Sequence, residues 1–442
     1  MSDPLSRKVR VGYGLGSVAT GTFGTVPGLM LLPYLTDTLG VAAAVAGLIV
    51  LLPKAWDVVL NPIAGRISDR TVDPRGPRRP FLLRGGLLLA ACFALLFAGP
   101  DLGSTALDAG WVLVTFIACA TAYAFFQVPY VAMPAEITDS YAERTRLMTW
   151  RVAILESAIL IAGASAPAIR NAFDGPQGYR VMGVFVALIL VVGVVSAYAG
   201  TASAPVGHVA AGEGTLRDQL RVVAEARDFR LLLTTFVLQA LATGAMLAGV
   251  DYVSRWVLDD KNLASILFVC FVGPALVLTP VWNIVGQRTG KKIGYAAASV
   301  LLATGAIVLV SARAAPHWLV FVATAVVGAG YAGAQMFPMA MLPDTAAVDA
   351  QRTGQNRVGV YTGVWTAGET LGLAVGPGLY GLVLAIGHYR SSTGGGAAQP
   401  SSAVTAIVIG FSVIPALLTL ASLFFLRRYG LDADEVEETM TT

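Results

Sequence analysis

The sequence predicts an all-α integral membrane protein, because its charged residues are scarce and its apolar runs are long. Of the 442 residues, 56% are hydrophobic and only 13% are charged, whereas about 25% of the residues in an average soluble domain are charged. Apolar runs of about 20 residues, the length that an α-helix needs to cross a bilayer, recur along nearly the whole chain. None of them alternates polar and apolar residues as a membrane β-strand would. We therefore expect a series of membrane-spanning helices.

Hydropathy along the chain predicts about twelve such helices in two sets of six. The predicted organisation is a six-helix half at 1–200, a connector at 201–230, a second six-helix half at 231–430 and an acidic cytoplasmic tail at 431–442. The predicted helices lie near 11–36, 41–68, 81–98, 110–137, 148–168, 181–200, 231–257, 263–285, 293–312, 318–342, 358–386 and 404–426.

The positions of lysine and arginine predict the orientation of these helices. Basic residues crowd into both ends of the chain and into alternate loops, above all the loop at 66–84. Because loops rich in positive charge stay in the cytoplasm, we expect a multi-pass inner-membrane protein with both termini cytoplasmic. The loops predicted to face outward hold only Arg170, Arg180, Arg255, Lys261, Arg313 and Arg390.

The two halves resemble each other in sequence. The segment QVPYVAMPAE at 127–136 ends the fourth predicted helix, and QMFPMAMLPD at 335–344 ends the tenth. The loop at 65–79 has a shorter echo at 286–292, and the fifth and eleventh helices each carry one acid. Two six-helix halves in the same orientation are the layout of the major facilitator fold, in which a substrate site between the halves opens alternately to each side.

Several motifs resemble one family within this fold. Residues 54–80 contain KAWD, NPIAG, SDRT and RRP, and the second half contains DT, TG and GVY motifs followed by a tryptophan within 344–377. Together with YGLG at 13–16 and YLTD at 34–37, they resemble the glycoside–pentoside–hexuronide cation symporters, the melibiose-permease family. The resemblance implies a secondary active transporter that couples sugar uptake to sodium, lithium or protons.

The residues of the family's coupling site are only partly present. The acid of its Trp-Asp motif is Asp57, but the second acid before the proline is replaced by Asn61, and an acid of the fourth helix by Gln127. The helix-one acid that contacts sugar falls on Gly21, and a lysine of the eleventh helix falls on Glu369. The resemblance therefore places the cation site at Asp57 with altered companions.

These changes favour proton coupling, with sodium as the alternative. A sodium site needs several hard oxygen ligands and usually more than one carboxylate, whereas Asp57, Asn61 and Gln127 supply one charge and two amide oxygens. A single buried carboxylate can bind a proton instead, because burial disfavours its charged form. We predict that Asp57 carries the proton beside Lys54, three residues earlier on the helix. A structural Lys54–Asp57 ion pair is the competing interpretation, and Glu156 or Glu369 could carry the proton instead.

Substrate-binding candidates lie on the fourth, fifth and eleventh helices. The family has an arginine that holds sugar hydroxyls at the position of Arg151, although an arginine there can also extend to the membrane interface. Glu156 is predicted to lie deeper, where it could bind a polar solute or pair with Arg151. Tyr130 can offer hydrogen bonds, and Trp365 can stack on a sugar face or simply pack. Glu369 can bind substrate or a protein partner such as Lys54.

The loop charges resemble the inner gate of the superfamily, where an acid and several arginines lock the gate by charged hydrogen bonds. The same arginines also satisfy the positive-inside rule, so topology alone is the competing explanation. The predicted gating residues are Asp69, Arg70, Arg78, Arg79 and Arg288.

The leading functional prediction is cation-coupled symport of a sugar, glycoside or similar polar organic solute. The alternative is an exporter of an amphipathic metabolite, drug or lipid-like molecule on the same scaffold, because the face of helix one from 21 to 30 is apolar and rich in small residues. We expect a monomer in the lipid bilayer with a small-molecule substrate and without cofactor or metal. Nucleic acid is not expected as a partner, since the net charge is only +3. No enzyme is expected, because the sequence shows no nucleotide loop, metal cluster or nucleophile–base pattern.

Overall fold

The computed structural model describes residues 5–138, 140–205, 223–353, 358–394 and 397–431. Within these ranges, twelve helices are long and apolar enough to cross a membrane, which confirms the predicted all-α membrane fold. The helices are α1 Arg7–Asp37, α2 Ala43–Asp69, α3 Arg79–Leu96, α4 Thr105–Ile137, α5 Tyr141–Asn171, α6 Pro176–Gly200, α7 Arg227–Trp256, α8 Leu263–Thr289, α9 Lys291–Val308, α10 His317–Thr353, α11 Val358–Ile386 and α12 Ser401–Arg428.

The helices form two compact units, each with six of them. The first unit holds α1 to α6 and the segment 390–398, whose Ser392 backbone N–H donates to the carbonyl of Thr36 at 3.0 Å. The second unit holds α7 to α12. In the first unit α1 packs on α5 and α6, α3 packs on α4 and α6, and α2 packs on α4. In the second unit α7 packs on α11 and α12, α9 packs on α10 and α12, and α8 packs on α10. The two units therefore share one internal arrangement.

Helix ends differ from the hydropathy prediction where polar residues continue a helix. α5 begins at Tyr141 and not near 148, with the Ser140 hydroxyl accepting a hydrogen bond from the backbone N–H of Glu143. α10 continues to Thr353 and not only to 342. Hydropathy marks the apolar part of a helix, whereas capping and backbone hydrogen bonds set its ends. α7 begins at Arg227, and the predicted connector residues 206–222 and tail residues 432–442 lie outside the described residues.

Small residues let α7 and α11 approach closely in the second unit. A Cβ atom at Gly244 would lie 2.5 Å from the carbonyl oxygen of Leu373, and one at Gly376 would lie 2.4 Å from the backbone nitrogen of Ala245. These neighbours are backbone atoms, which cannot move aside as a flexible side chain can. Glycine is therefore required by close packing at both positions.

Replacing Gly244 with alanine is expected to destabilise the protein by about 1–3 kcal/mol, because the new methyl group overpacks the α7–α11 contact. Thermal unfolding of the purified protein in detergent measures the change. Gly363→Ala is the matched control, since a Cβ atom at Gly363 meets no atom within 4 Å. This control should be neutral or slightly stabilising, because alanine is the better helix former. Equal unfolding temperatures for the two variants would contradict the packing argument.

Candidate functional site

The first site feature is a loose ion pair inside the span of α2. Lys54 and Asp57 lie one turn apart on the helix, and 3.9 Å separates the Lys54 Nζ from the Asp57 Oδ2. The Asp57 side chain is only 4% exposed. Its Oδ1 atom is buried and has no hydrogen-bond partner among the described residues. Lys54 therefore balances the charge of the carboxylate, but Oδ1 accepts no hydrogen bond from the described residues.

Two aromatic rings from other helices hold the Lys54 ammonium group. The Lys54 Nζ lies 4.7 Å from the ring centroid of Phe23 on α1 and 5.6 Å from that of Tyr123 on α4. The two rings also contact each other, with centroids 4.5 Å apart. A cation at these distances is attracted by the negative faces of the rings. The sequence prediction missed both aromatic residues, because nothing in their local pattern separates them from packing residues.

Asn61 and Gln127 extend the predicted coupling site along two packed helices. Asn61 follows Asp57 by four residues, so both lie on the same face of α2. Gln127 follows Tyr123 by four residues on α4 in the same way. Both amides are half-buried, and neither forms a hydrogen bond with another described residue. They stay free to offer carbonyl oxygens to a ligand.

Apolar packing one to two turns after Asp57 along α2 holds α2 against α4. Leu60 and Ala64 of α2 are buried against Ala124 of α4, with Phe125 and Val128 beside them. This contact fixes the relative position of the α2 and α4 faces that carry the candidate site. The predicted coupling residues are thus placed by an apolar interface that contributes no ligand itself.

Tyr130 is bound to α1 through its ring and its hydroxyl. The Tyr130 hydroxyl donates to the carbonyl oxygen of Tyr13 at 2.7 Å and accepts from the Ser17 hydroxyl at 2.9 Å. Its ring stacks on the Tyr13 ring with centroids 4.7 Å apart. The side chain is fully buried. In this structure the hydroxyl predicted to bind substrate joins α4 to α1.

Arg151 and Glu156 of α5 point in different directions. The Arg151 Cζ lies 5.7 Å from the Tyr130 ring centroid, and its buried Nε has no hydrogen-bond partner among the described residues. Five residues separate Arg151 from Glu156, which is about 140° around a helix. Glu156 is half-buried and forms no ion pair or hydrogen bond within the part of the chain that the structure describes. The structure does not bring these two charges together.

The predicted substrate residues of the second unit lie on α11. The Trp365 ring stacks on Phe236 of α7 with centroids 4.5 Å apart, and the residue is only 1% exposed. Its Nε1 atom is buried and lacks a hydrogen-bond partner among the described residues. Glu369 lies one turn further along α11 and is half-buried. The stacking face of Trp365 is thus occupied by a protein ring in this structure.

Arg78 is the centre of the predicted gate. Its Nη2 atom lies 2.6 Å from Asp69 Oδ1, and its Nε donates to Glu136 Oε1 at 2.7 Å. Its Nη1 donates to the Ser68 hydroxyl oxygen at 2.5 Å, and that hydroxyl in turn donates to the carbonyl of Gly65. Burial alone would lower the pKa of Arg78, but the hydrogen bonds with Glu136 and Asp69 outweigh it and raise the pKa above its ordinary value. The arrangement joins α2, α3 and α4 at one end of the first unit.

Arg79 and Arg70 contribute differently to this end of the unit. The Arg79 Nη2 donates to the carbonyl of Tyr198 on α6 at 3.0 Å, and its Cζ lies 4.5 Å from the Tyr198 ring. Arg70 is exposed and forms no ion pair among the described residues. Nearby, Arg75 donates two hydrogen bonds to Asp73. Those bonds lower the pKa of Asp73 to about 2.

The second unit has an ion pair that corresponds to the Arg78–Glu136 contact, but its cation is Lys291 and not the predicted Arg288. Arg288 is exposed and forms no ion pair among the described residues. Instead, the Lys291 Nζ lies 2.6 Å from Asp344 Oδ2 and donates to the carbonyl of Ala340 at 3.1 Å. Glu136 and Asp344 are the last residues of the two repeated segments at 127–136 and 335–344. The repeat of these segments is the sequence signal that could have identified both acids. The sequence analysis uses the repeat to predict the fold and does not assign either acid to the gate.

Comparison with known proteins identifies the family. A family model described as MFS/sugar transport protein matches residues 12–433. The chain belongs to this family. The putative glycoside/cation symporter YagG of Escherichia coli (strain K12) is 26% identical over 441 residues, which cover 98% of this chain and 94% of that protein. The inner membrane symporter YicJ of the same organism is 25% identical and covers 97% and 92%.

Solved structures agree with the fold. A bacterial homolog of the human lysosomal transporter Spinster, in its occupied form, superimposes with a TM-score of 0.67 at 12% identity, covering 98% of this chain and 96% of that one. The predicted symporter resemblance and the major facilitator fold are thus confirmed. The protein is a multi-pass membrane transporter and belongs to a family of transporters, not enzymes.

Proposed function

We propose that the protein is a proton-coupled symporter of a glycoside or similar polar organic solute. The observation that carries this proposal is Asp57, a carboxylate buried within a membrane span with one unbonded oxygen and a counter-ion held mainly by aromatic rings. A charged group at such a depth is expensive and is by default a functional group. The relatives described as glycoside/cation and inner membrane symporters support the choice of solute class and of cation coupling.

Proton is favoured over sodium by the chemistry around Asp57. Sodium binding would require several oxygen ligands, and the predicted coupling residues supply one carboxylate, that of Asp57, and the amide oxygens of Asn61 and Gln127. A proton needs a single oxygen atom, and Asp57 Oδ1 has no competing hydrogen bond from the described residues. We therefore assign the coupling role to the proton.

The proposal predicts that an inwardly directed proton gradient drives accumulation of at least one glycoside in proteoliposomes. The experiment compares uptake of radiolabelled melibiose, lactose, methyl glucosides, methyl xylosides and glucuronides under three conditions: a pH gradient, a sodium gradient and no gradient. Accumulation only with the pH gradient is the expected result. Accumulation only with the sodium gradient would overturn the proton assignment. Outward movement of an amphipathic solute without any glycoside uptake would favour the exporter alternative.

A further inference from the structure

Two arginines near the start of α3 have no acid to balance their charge. Arg79 is the first residue of α3, and Arg84 lies about 7.5 Å further along the helix axis. Arg84 is exposed, and neither arginine forms an ion pair within the described residues. Asp73, which precedes both, accepts two hydrogen bonds from Arg75, so its charge is already matched. The start of α3 therefore carries two unbalanced positive charges.

Tyr198 of α6 fixes the guanidinium group of Arg79. The Arg79 Nη2 donates to the carbonyl oxygen of Tyr198 at 3.0 Å, and the Cζ lies 4.5 Å from the centroid of the Tyr198 ring. A guanidinium group has five N–H donors. The Nη1 of Arg79 makes no hydrogen bond with another described residue, so it can donate to an acceptor from outside the chain.

The other two arginines lie in the same neighbourhood. Hydrogen bonds with Asp73 and Tyr198 raise the pKa of Arg75 above its ordinary value, which places Arg75 beside both residues. The pKa of Asp73 is lowered to about 2, chiefly by its hydrogen bonds with Arg75 and to a smaller extent by the charge of Arg84. Arg75, Arg79, Arg84 and Asp73, called the basic cluster below, thus carry two net positive charges.

An exposed apolar surface extends from the basic cluster along α3 and α6. Leu87 and Leu88 follow Arg84 by three and four residues, so they lie on the same face of α3, and they are 40% and 54% exposed. On α6, Val195 precedes Tyr198 by three residues and is 43% exposed. The cluster is therefore polar at the end of α3 and bordered by apolar side chains deeper in the span.

The exposed residues of the two helices lie on one side of the seam between them. α3 meets α6 at Gly86, where an added Cβ atom would clash with the side chain of Val194. Leu87 is rotated by about 100° from Gly86, and Val195 is rotated by about 100° from Val194. Because the third and sixth membrane helices run in opposite directions, these two rotations point to the same side. The seam is thus the floor of a shallow apolar groove that ends at the basic cluster.

We propose that this groove binds an anionic phospholipid, with the lipid phosphate on Arg79 and Arg84 and the acyl chains along the seam. The lipid comes from the leaflet at this end of the first unit, which is the cytoplasmic leaflet by the positive-inside rule. Basic pockets between membrane helices on that side bind anionic headgroups, and phosphate oxygens accept strong hydrogen bonds from guanidinium groups. A zwitterionic lipid binds less well, because its own cation is repelled by two arginines that no acid balances.

The test measures phospholipid binding to the purified full chain by native mass spectrometry. Titrations with dioleoyl phosphatidylglycerol and dioleoyl phosphatidylcholine give a dissociation constant for each lipid, and phosphatidylglycerol should bind more tightly. Arg84→Gln should weaken phosphatidylglycerol binding about fivefold, the contribution of one arginine near an anionic headgroup, and the double variant with Arg79→Gln about 25-fold. Binding of phosphatidylcholine should change less than about twofold in both variants, which shows that the protein remains folded.

Arg66→Gln is the matched control for charge. Arg66 lies in the last turn of α2, where it is exposed and forms no ion pair among the described residues. Its replacement removes one positive charge outside the α3–α6 seam, so phosphatidylglycerol affinity should stay nearly unchanged. Arg84→Lys keeps the charge and should restore most of the affinity that Arg84→Gln loses. Equal losses in Arg66→Gln and Arg84→Gln would overturn the site and leave only the diffuse attraction behind the positive-inside rule.

A soluble headgroup separates a lipid site from a simple anion site. Glycerol phosphate has the phosphate group but no acyl chains, so at millimolar concentration it should not displace bound phosphatidylglycerol. Displacement by glycerol phosphate would overturn the role of the apolar groove. Equal affinity for phosphatidylglycerol and phosphatidylcholine in the unmodified protein would overturn the role of the two unbalanced arginines.

Discussion

Asp57→Asn should abolish proton-driven accumulation of the transported glycoside while leaving its passive equilibration across the membrane. Asparagine has the shape of aspartate but cannot take up a proton, so the solute gradient loses its link to the proton gradient. The ratio of internal to external solute should fall to about one, the value for a carrier without coupling. Radiolabelled uptake into proteoliposomes with an imposed pH gradient measures this ratio. Efflux from preloaded proteoliposomes measures equilibration separately.

Glu156→Gln is the matched control for this prediction. Glu156 is another carboxylate of the first unit that lies in a span, where it is half-buried and forms no ion pair among the described residues. If Asp57 carries the proton, Glu156→Gln retains accumulation above the equilibrium ratio. The opposite result, with accumulation lost in Glu156→Gln and kept in Asp57→Asn, would transfer the coupling role to α5.

Replacing Arg78 with methionine should give the largest loss of stability among the charged residues discussed. Arg78 and Glu136 are each only 8% exposed at their side chains, and Asp69 is 33% exposed. Removing the arginine leaves Glu136 buried without its counter-ion, which costs about 3 kcal/mol. The methionine side chain keeps much of the apolar stem, so the measured loss reports mainly the charge. Chemical and thermal unfolding in detergent measure it.

Arg75→Met separates this effect from a general loss of loop charge. Arg75 lies three residues earlier in the same loop and pairs with Asp73 in an exposed position, where an ion pair contributes little. Its replacement should hardly change the unfolding temperature. The double variant Arg78→Met with Glu136→Gln should recover part of the stability, because the buried charge has been removed as well. Similar losses for the Arg78 and Arg75 variants would contradict the proposed difference in burial.

Sequence reasoning found the ion pair of α2 but not its surroundings. The spacing of Lys54 and Asp57 places them on one helix face whatever the fold, so their proximity could be predicted. Phe23 and Tyr123 reach Lys54 only because α1, α2 and α4 pack together. An aromatic residue in an apolar helix carries no local signal for such a contact, since most of these residues only pack.

The predicted gate also combines residues that the sequence identifies with contacts that only the tertiary structure shows. Arg78 and Asp69 lie in a recognisable loop motif, so sequence alone marked them. Glu136 also accepts a hydrogen bond from Arg78, yet it lies 58 positions away along the chain. In the second unit Lys291, and not Arg288, forms the equivalent contact with Asp344, because α9 begins at Lys291 and places it beside Asp344 of α10. Arg288 lies in the last turn of α8, whereas Lys291 is the first residue of α9, so the two cations belong to different helices although only three positions separate them.

The sequence alone determined the membrane class, the twelve helices, the repeat of the halves and the family, because transfer into a bilayer depends on the composition of each segment. Tertiary structure decided which side chains meet: the aromatic rings around Lys54, the bond from Tyr130 to α1 and the acids around Arg78. These contacts depend on the rotation and separation of packed helices. Those are set by side-chain shape and close glycine contacts over the whole unit, and not by the composition of any one segment.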